Sequence, residues 1–136
     1  METIILQNNI QVVSVKADVF PTGIMAAYEA LAKALPAEPH RVHYGLSHGT
    51  ETGEIVYYAA AEQLADGDAE QYNLQPLTIP AGTYASITIQ NFMQNLPAVS
   101  TAFQTLLALP NHHKNGMCIE HYINQHDVAC MIRITE

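Results

Sequence analysis

At 136 residues, with 49% hydrophobic and 13% charged side chains, the chain is long enough to bury one core without disulfide or metal staples. Thirteen Asp and Glu against five Lys and Arg give a net charge of −8, which repels phosphate backbones and argues against direct nucleic-acid binding. No apolar run approaches the roughly 18 residues of a membrane span, and residues 1–7 lack the basic and apolar regions of a signal peptide, so no membrane contact and a cytoplasmic location are expected.

Taken in order, residues 3–7 and 10–16 are apolar segments parted by Asn8 and Asn9, and read as a strand broken by a turn or as a short hairpin. Asp18-Val19-Phe20-Pro21 opens a helix that Pro36 closes. Within it Ile24, Tyr28, Leu31 and Leu35 recur at helical spacing, which places Tyr28 on the buried stripe. Residues 40–46 and 54–61 follow as two strands about a turn at 49–53. Residues 62–71, rich in acids and carrying Gly67, read as a linker or exposed loop.

The second half begins with an extended lead-in at 72–79, a kink at Pro80-Ala81-Gly82 and a strand at 83–89, with Tyr84 facing away from Ala85, Ile87 and Ile89. A helix bounded by Pro97 and Pro110 buries Val99, Ala102, Phe103 and Leu106. Before it, Phe92 and Met93 stand in a polar segment, where they either close over a ligand or pack on that helix. Residues 117–123 and 128–134 then form a hairpin about Asn124-Gln125-His126-Asp127.

Pairing Asn124 with Asp127 puts Ile119, His121 and Ile123 on a core face with Val128, Cys130 and Ile132. The other face then holds Cys118, Glu120 and Tyr122 with Ala129, Met131 and Arg133. In that register Cys118 and Cys130 point apart, and no disulfide is expected. The register leaves Glu120 two roles: an ion pair with Arg133 diagonally across the hairpin, or the negative centre of a binding cleft.

The string is strand, helix, strand, strand, twice over. Phe20-Pro21 and Leu96-Pro97 begin the helices, Leu35-Pro36 and Leu109-Pro110 end them, and Val42-His43-Tyr44 matches Glu120-His121-Tyr122. The expected fold class is α+β, a single domain of two βαββ repeats, about 1–64 and 72–136, related by a pseudo-twofold. Their helices are expected on the outer faces, with a ligand cleft between the inner faces of the curved antiparallel sheets.

The order of these elements, the segment Ile79-Pro80-Ala81-Gly82-Thr83-Tyr84-Ala85 and the strand Ile119-Glu120-His121-Tyr122 resemble the GyrI-like small-molecule-binding domain. That effector-binding module occurs in multidrug-responsive transcription activators and as free-standing proteins, including integron-cassette proteins. The resemblance covers essentially the whole chain and implies a cleft for lipophilic, cationic compounds, with Glu120 as the negative centre and tyrosines as walls. The ligand-binding set expected on this basis is Glu120, Tyr122, Tyr44, Tyr58, Tyr84, Phe92 and Met131. No DNA-binding helix-turn-helix is expected ahead of Met1.

Three functions compete. A binding module would hold a lipophilic cation with Glu120 and the tyrosine rings. Alternatively, a GyrI-like hydrolase would open strained electrophilic rings, with Glu120 activating water and Tyr84 donating the proton. The third role is protein–protein antagonism, and a protein partner or homodimer is left open. The seven histidines fit no zinc spacing and do not cluster with the cysteines, so neither a metal nor a cofactor is expected.

Overall fold

The computed structural model describes residues 1–135. In chain order the strands are β1 (Glu2–Leu6), β2 (Ile10–Lys16), β3 (His43–Gly49), β4 (Ile55–Glu62), β5 (Gln75–Ile79), β6 (Gly82–Ile89), β7 (Cys118–Tyr122) and β8 (Val128–Arg133). The helices are α1 (Ile24–Ala34), the short α2 (Asp68–Gln71) and α3 (Leu96–Leu107), with a single 3-10 turn, Phe92–Gln94, ahead of α3. No helix is long and apolar enough to cross a membrane among the described residues.

Prolines set both long helices. Pro97 sits in the first turn of α3, where its missing N–H would have had no helical partner. Leu35 is extended (φ −97°, ψ 144°) because Pro36 disfavours helical backbone in the residue before it. Helix α1 begins at Ile24, later than Pro21 suggests, since residues 19–23 are taken up by a turn in which Gly23 N–H donates to the Val19 carbonyl.

All strands join one antiparallel sheet in the order β1-β6-β8-β7-β3-β4-β2-β5. Exchanging β1 with β5, β6 with β2, β8 with β4 and β7 with β3 reproduces that order, so the pseudo-twofold passes between β7 and β3. Strands β1 and β2 do not form a hairpin with one another; each pairs with a different half of the sheet. Strands β5 and β6 lie six places apart, about 29 Å in a flat sheet, yet Ile79 and Gly82 are joined by a link that spans about 11 Å at full stretch. The sheet must therefore curl. Leu6 and Ile10 impose the same closure on β1 and β2.

Curling buries the helix-free face against itself: Val12, Tyr44, Leu46, Ile79, Tyr84, Ile119 and Met131 pack as one cluster. On the opposite face α1 covers β2 and β4, packing Leu31 on Val13, Ala59 and Ala61. In the other half α3 covers β6 and β8, packing Leu106 on Ala85, Cys130 and Ile132. The expected cleft between inner faces is thus replaced by core. The open space lies instead on the helix side, over β3 and β7.

The hairpin register differs by one residue from that expected. Asn124 Oδ1 accepts the backbone N–H of His126 (2.7 Å) and of Asp127 (2.9 Å), and Ile123 N–H donates to the Asp127 carbonyl. The turn thereby takes in residues 123–127 and pairs Tyr122 with Val128 and Glu120 with Cys130. A one-residue slip moves the partner strand's side chains to the other face. Met131 and Ala129 therefore join the helix-free core, while Cys130 and Ile132 join Glu120. Cys118 and Cys130 share a face after all, and both are free thiols.

Residues 64–67 form the expected exposed loop, but Asp68 and Ala69 after it are buried. Gly67 adopts the left-handed conformation (φ 87°) that turns the chain into α2, and Asp68 is 5% exposed. Its Oδ2 accepts the N–H groups of Leu64 (2.9 Å) and Ala65 (3.1 Å) and lies 3.9 Å from Arg41 Nη1. Asp68→Ala strands two donors and a buried guanidinium, and is expected to lower unfolding free energy by about 2–4 kcal/mol. Urea denaturation followed by circular dichroism measures it; a loss under about 0.5 kcal/mol, the scale of an ordinary surface change, contradicts this account.

Candidate functional site

Strands β3 and β7 pair along the middle of the sheet, with Gly45 opposite Glu120 and His43 opposite Tyr122. Because neither helix covers this seam, alternation presents His43, Glu120 and Tyr122 to a cavity of about 580 Å³, with Gly45 on the same face beneath Tyr57 and Glu120. Helix α1 walls it with Ile24, Met25 and Tyr28. From the other side the 3-10 turn and α3 contribute Phe92, Met93, Leu96 and Val99. Tyr57 of β4 completes the floor.

Glu120 is the acid at the centre of this apolar, aromatic space. The hydroxyls of Tyr57 and Tyr122 both donate to its Oε1 at 2.7 Å. Tyr28 lies one step further out, its hydroxyl 2.9 Å from that of Tyr57 and donating to the Tyr44 carbonyl at 3.0 Å. Glycine at position 45 is what lets these groups meet, since a Cβ there would overlap Tyr57 Oη and Glu120 Oε1 and stand 2.9 Å from Tyr57 Cζ. Among the described residues Oε2 of Glu120 accepts no hydrogen bond, and no Lys, Arg or His comes within ion-pair distance of the carboxylate. Arg133 pairs with Tyr84 on the other side of β8, so the diagonal ion pair with Glu120 does not form.

The rings pack edge to face, Tyr28 against Tyr57 (centroids 6.3 Å apart, planes at 67°) and against Tyr122 (6.1 Å, 86°). Phe92 reaches Tyr122 at 5.5 Å. Burial, followed by the Glu120 charge, raises the Tyr57 and Tyr122 phenols far above the ordinary tyrosine value, and burial does the same at Tyr28. All three are neutral donors at physiological pH. Cys130 is pushed up to about 12 by burial and then by Glu120, which leaves it a poor nucleophile. His43 is lowered, chiefly by burial.

Of the ligand-binding residues expected from sequence, Glu120, Tyr122 and Phe92 meet at this cavity. Four lie on the helix-free side. Tyr44 lies tilted against His121 with centroids 5.2 Å apart, Tyr58 stacks near His48 at 6.5 Å, Met131 is 4% exposed in the core, and Tyr84 is 1% exposed with its hydroxyl donating to the Pro80 carbonyl at 2.7 Å. Tyr84 therefore cannot serve as a proton donor beside Glu120. Tyr57 and Tyr28 take the vacated places. Alternation required one of Tyr57 and Tyr58 to face this way, whereas helical periodicity reports Tyr28 only as inward-facing. Among the described residues no group of three His, Cys, Asp or Glu side chains converges to hold a metal ion.

A family model, GyrI-like small molecule binding domain, matches residues 3–131. An integron cassette protein from the mobile metagenome of Vibrio cholerae superposes with a TM-score of 0.73 at 13% identity, covering 98% of this chain and 95% of that one. The protein SAV2435, solved bound to tetraphenylphosphonium, superposes at 0.63 with 14% identity, covering 98% and 94%. A hydrolase from Listeria innocua superposes at 0.57 with 9% identity, covering 98% and 90%. At these identities the superpositions show a common fold. No curated protein sequence matches the chain.

The raised phenols give a pH dependence of known sign. Folding holds these tyrosines protonated where the unfolded chain releases its protons, so their contribution to stability is complete below about pH 10, the unfolded value, and is lost as pH rises above it. Unfolding midpoints are expected to fall between pH 10 and 11.5. In the same range phenolate absorbance from Tyr28, Tyr57 and Tyr122 should appear only with unfolding. Tyr57→Phe should flatten the decline, and an unchanged slope would refute the linkage.

Proposed function

We propose, for a chain that belongs to the GyrI-like small-molecule-binding family, that the cleft captures lipophilic monocations with Glu120 as the anchor. The observation that carries this reading is a carboxylate oxygen without a partner among the described residues, set in an apolar cavity floored by Tyr57 and Tyr122. The two phenol hydroxyls hold the carboxylate in one orientation, which reduces the ordering cost on binding. Ring faces of Tyr28, Tyr57, Tyr122 and Phe92 add cation–π attraction of about 0.5–2 kcal/mol each when desolvated. The net charge of −8 draws cations in, an effect that weakens with salt. That SAV2435, which shares the fold, was solved bound to tetraphenylphosphonium supports this reading.

A hydrolytic use of the same cleft has less behind it. A general acid works best with a pKa near the operating pH, and the two phenols on Glu120 are displaced far from it. The two phenols that contact the carboxylate are therefore poorly matched as proton donors.

Titration calorimetry with methyltriphenylphosphonium and uncharged triphenylphosphine oxide tests the reading. The cation should bind at least tenfold more tightly. Removing one member of a desolvated charge pair costs about 2–5 kcal/mol, so Glu120→Gln should weaken cation binding by about thirtyfold or more with the oxide little changed. Equal affinities for the two probes, or unchanged cation affinity in a folded Glu120→Gln protein, would overturn it.

A further inference from the structure

The cleft ends at the pair His43 and Tyr122, and the same two residues line a second cavity of about 470 Å³. Its other walls are the chain entering β3, with Glu38, His40 and Arg41, and the chain leaving β7, with Asn124 and Gln125. The two chambers thus share one partition but differ in chemistry: the first is walled mainly by rings and aliphatic groups around one acid, the second mixes Pro39, Val42 and Ile123 with the charged and polar groups Glu38, His40, Arg41, Asn124 and Gln125.

Donors are available in the second chamber. Arg41 uses Nη1 on the Glu62 carbonyl (3.0 Å) and near Asp68, whereas its Nη2 makes no hydrogen bond among the described residues. Its Nε is buried without a partner, so the guanidinium is far from saturated by its own protein. The side chain of Gln125 likewise makes no hydrogen bond among the described residues, unlike Asn124, which is committed to the turn. An acceptor supplied by a ligand would satisfy Arg41 Nη2 and the Gln125 amide.

We infer that the protein selects bipartite ligands, a lipophilic cation over Glu120 carrying a flexible arm that passes His43 and Tyr122 and ends in a carbonyl-type acceptor between Arg41 and Gln125. This inference rests on the cation reading of the cleft and adds the class of arm. His43 and Tyr122 line both chambers, so an arm of four methylenes, about 5 Å long when fully extended, leads from one to the other. The cation and the acceptor are then read by groups of opposite character in a fixed order.

The test uses a matched pair of monocations, (4-carbamoylbutyl)triphenylphosphonium and (5-methylhexyl)triphenylphosphonium, whose charge and shape cancel in the comparison. The amide is expected to bind about tenfold more tightly, the scale of a hydrogen bond to a charged donor. Arg41→Lys keeps a positive charge beside Asp68 but removes Nη2, and should abolish that advantage. Gln125→Ala, at an exposed position, should reduce it severalfold and decides the matter if Arg41→Lys fails to fold. If the alkyl probe binds as well as the amide, or the amide advantage survives the substitutions, the second chamber is no subsite and the cation reading stands. If neither phosphonium binds, the cation reading fails and this inference with it.

Discussion

Two short connections govern the architecture. The links from Leu6 to Ile10 and from Ile79 to Gly82 each join strands six places apart in the sheet, and neither reaches half the flat-sheet distance. The curl they impose turns one face inward on a dense core and leaves the other for the helices. Each helix covers the outer strands of its own half, because small residues there, Ala59 and Ala61 under α1 and Ala85 under α3, allow close approach. The two middle strands are left uncovered at the pseudo-twofold seam. The cavity is thus what remains when two helices pack symmetrically on a curled sheet.

The seam is not symmetric in chemistry. Where β7 carries Glu120, its partner β3 carries Gly45, and this pairing of an acid with an absent side chain opens the floor for Tyr57. The result is a carboxylate with one oxygen held by two phenols and the other facing the cavity. Burial keeps those phenols neutral, so the site carries one negative charge. Glu120 is half-buried and has no counter-ion among the described residues, and the proposed cationic ligand would supply one. The ordering of the tyrosines by Glu120 and the proposed affinity for cations would then be two aspects of one electrostatic arrangement.

Family membership was legible because the order of elements survives where identities do not. Prolines at positions 36, 97 and 110 mark helix ends for steric reasons that no tertiary contact overrides. The β-branched and aromatic content of the hairpin, and Glu120 as its conspicuous acid, were equally plain. Residues 62–71 read as a linker or exposed loop, and composition alone cannot show that Asp68 within them is buried to cap two backbone donors and to pair with Arg41, distant in sequence.

By itself, then, the amino-acid sequence determined the α+β class, the twofold recurrence of its units, the Pro-bounded helices and the presence of Glu120, Tyr122 and Phe92 at the centre of interest. The first three follow from local sterics and periodicity, whereas the three site residues were picked out by the family resemblance. Tertiary structure alone decided which face is open and which tyrosines meet there. Period-two alternation separates two faces without saying which is core, and the hairpin register turned on where Asn124 closes its turn. That single residue of register sent Met131 to the core beside Tyr44 and Tyr84, and set Cys130 beside Glu120. Tyr57 and Tyr28 entered the cleft because Gly45 leaves room and α1 stops short of the seam, both of which are contacts between segments far apart in the chain.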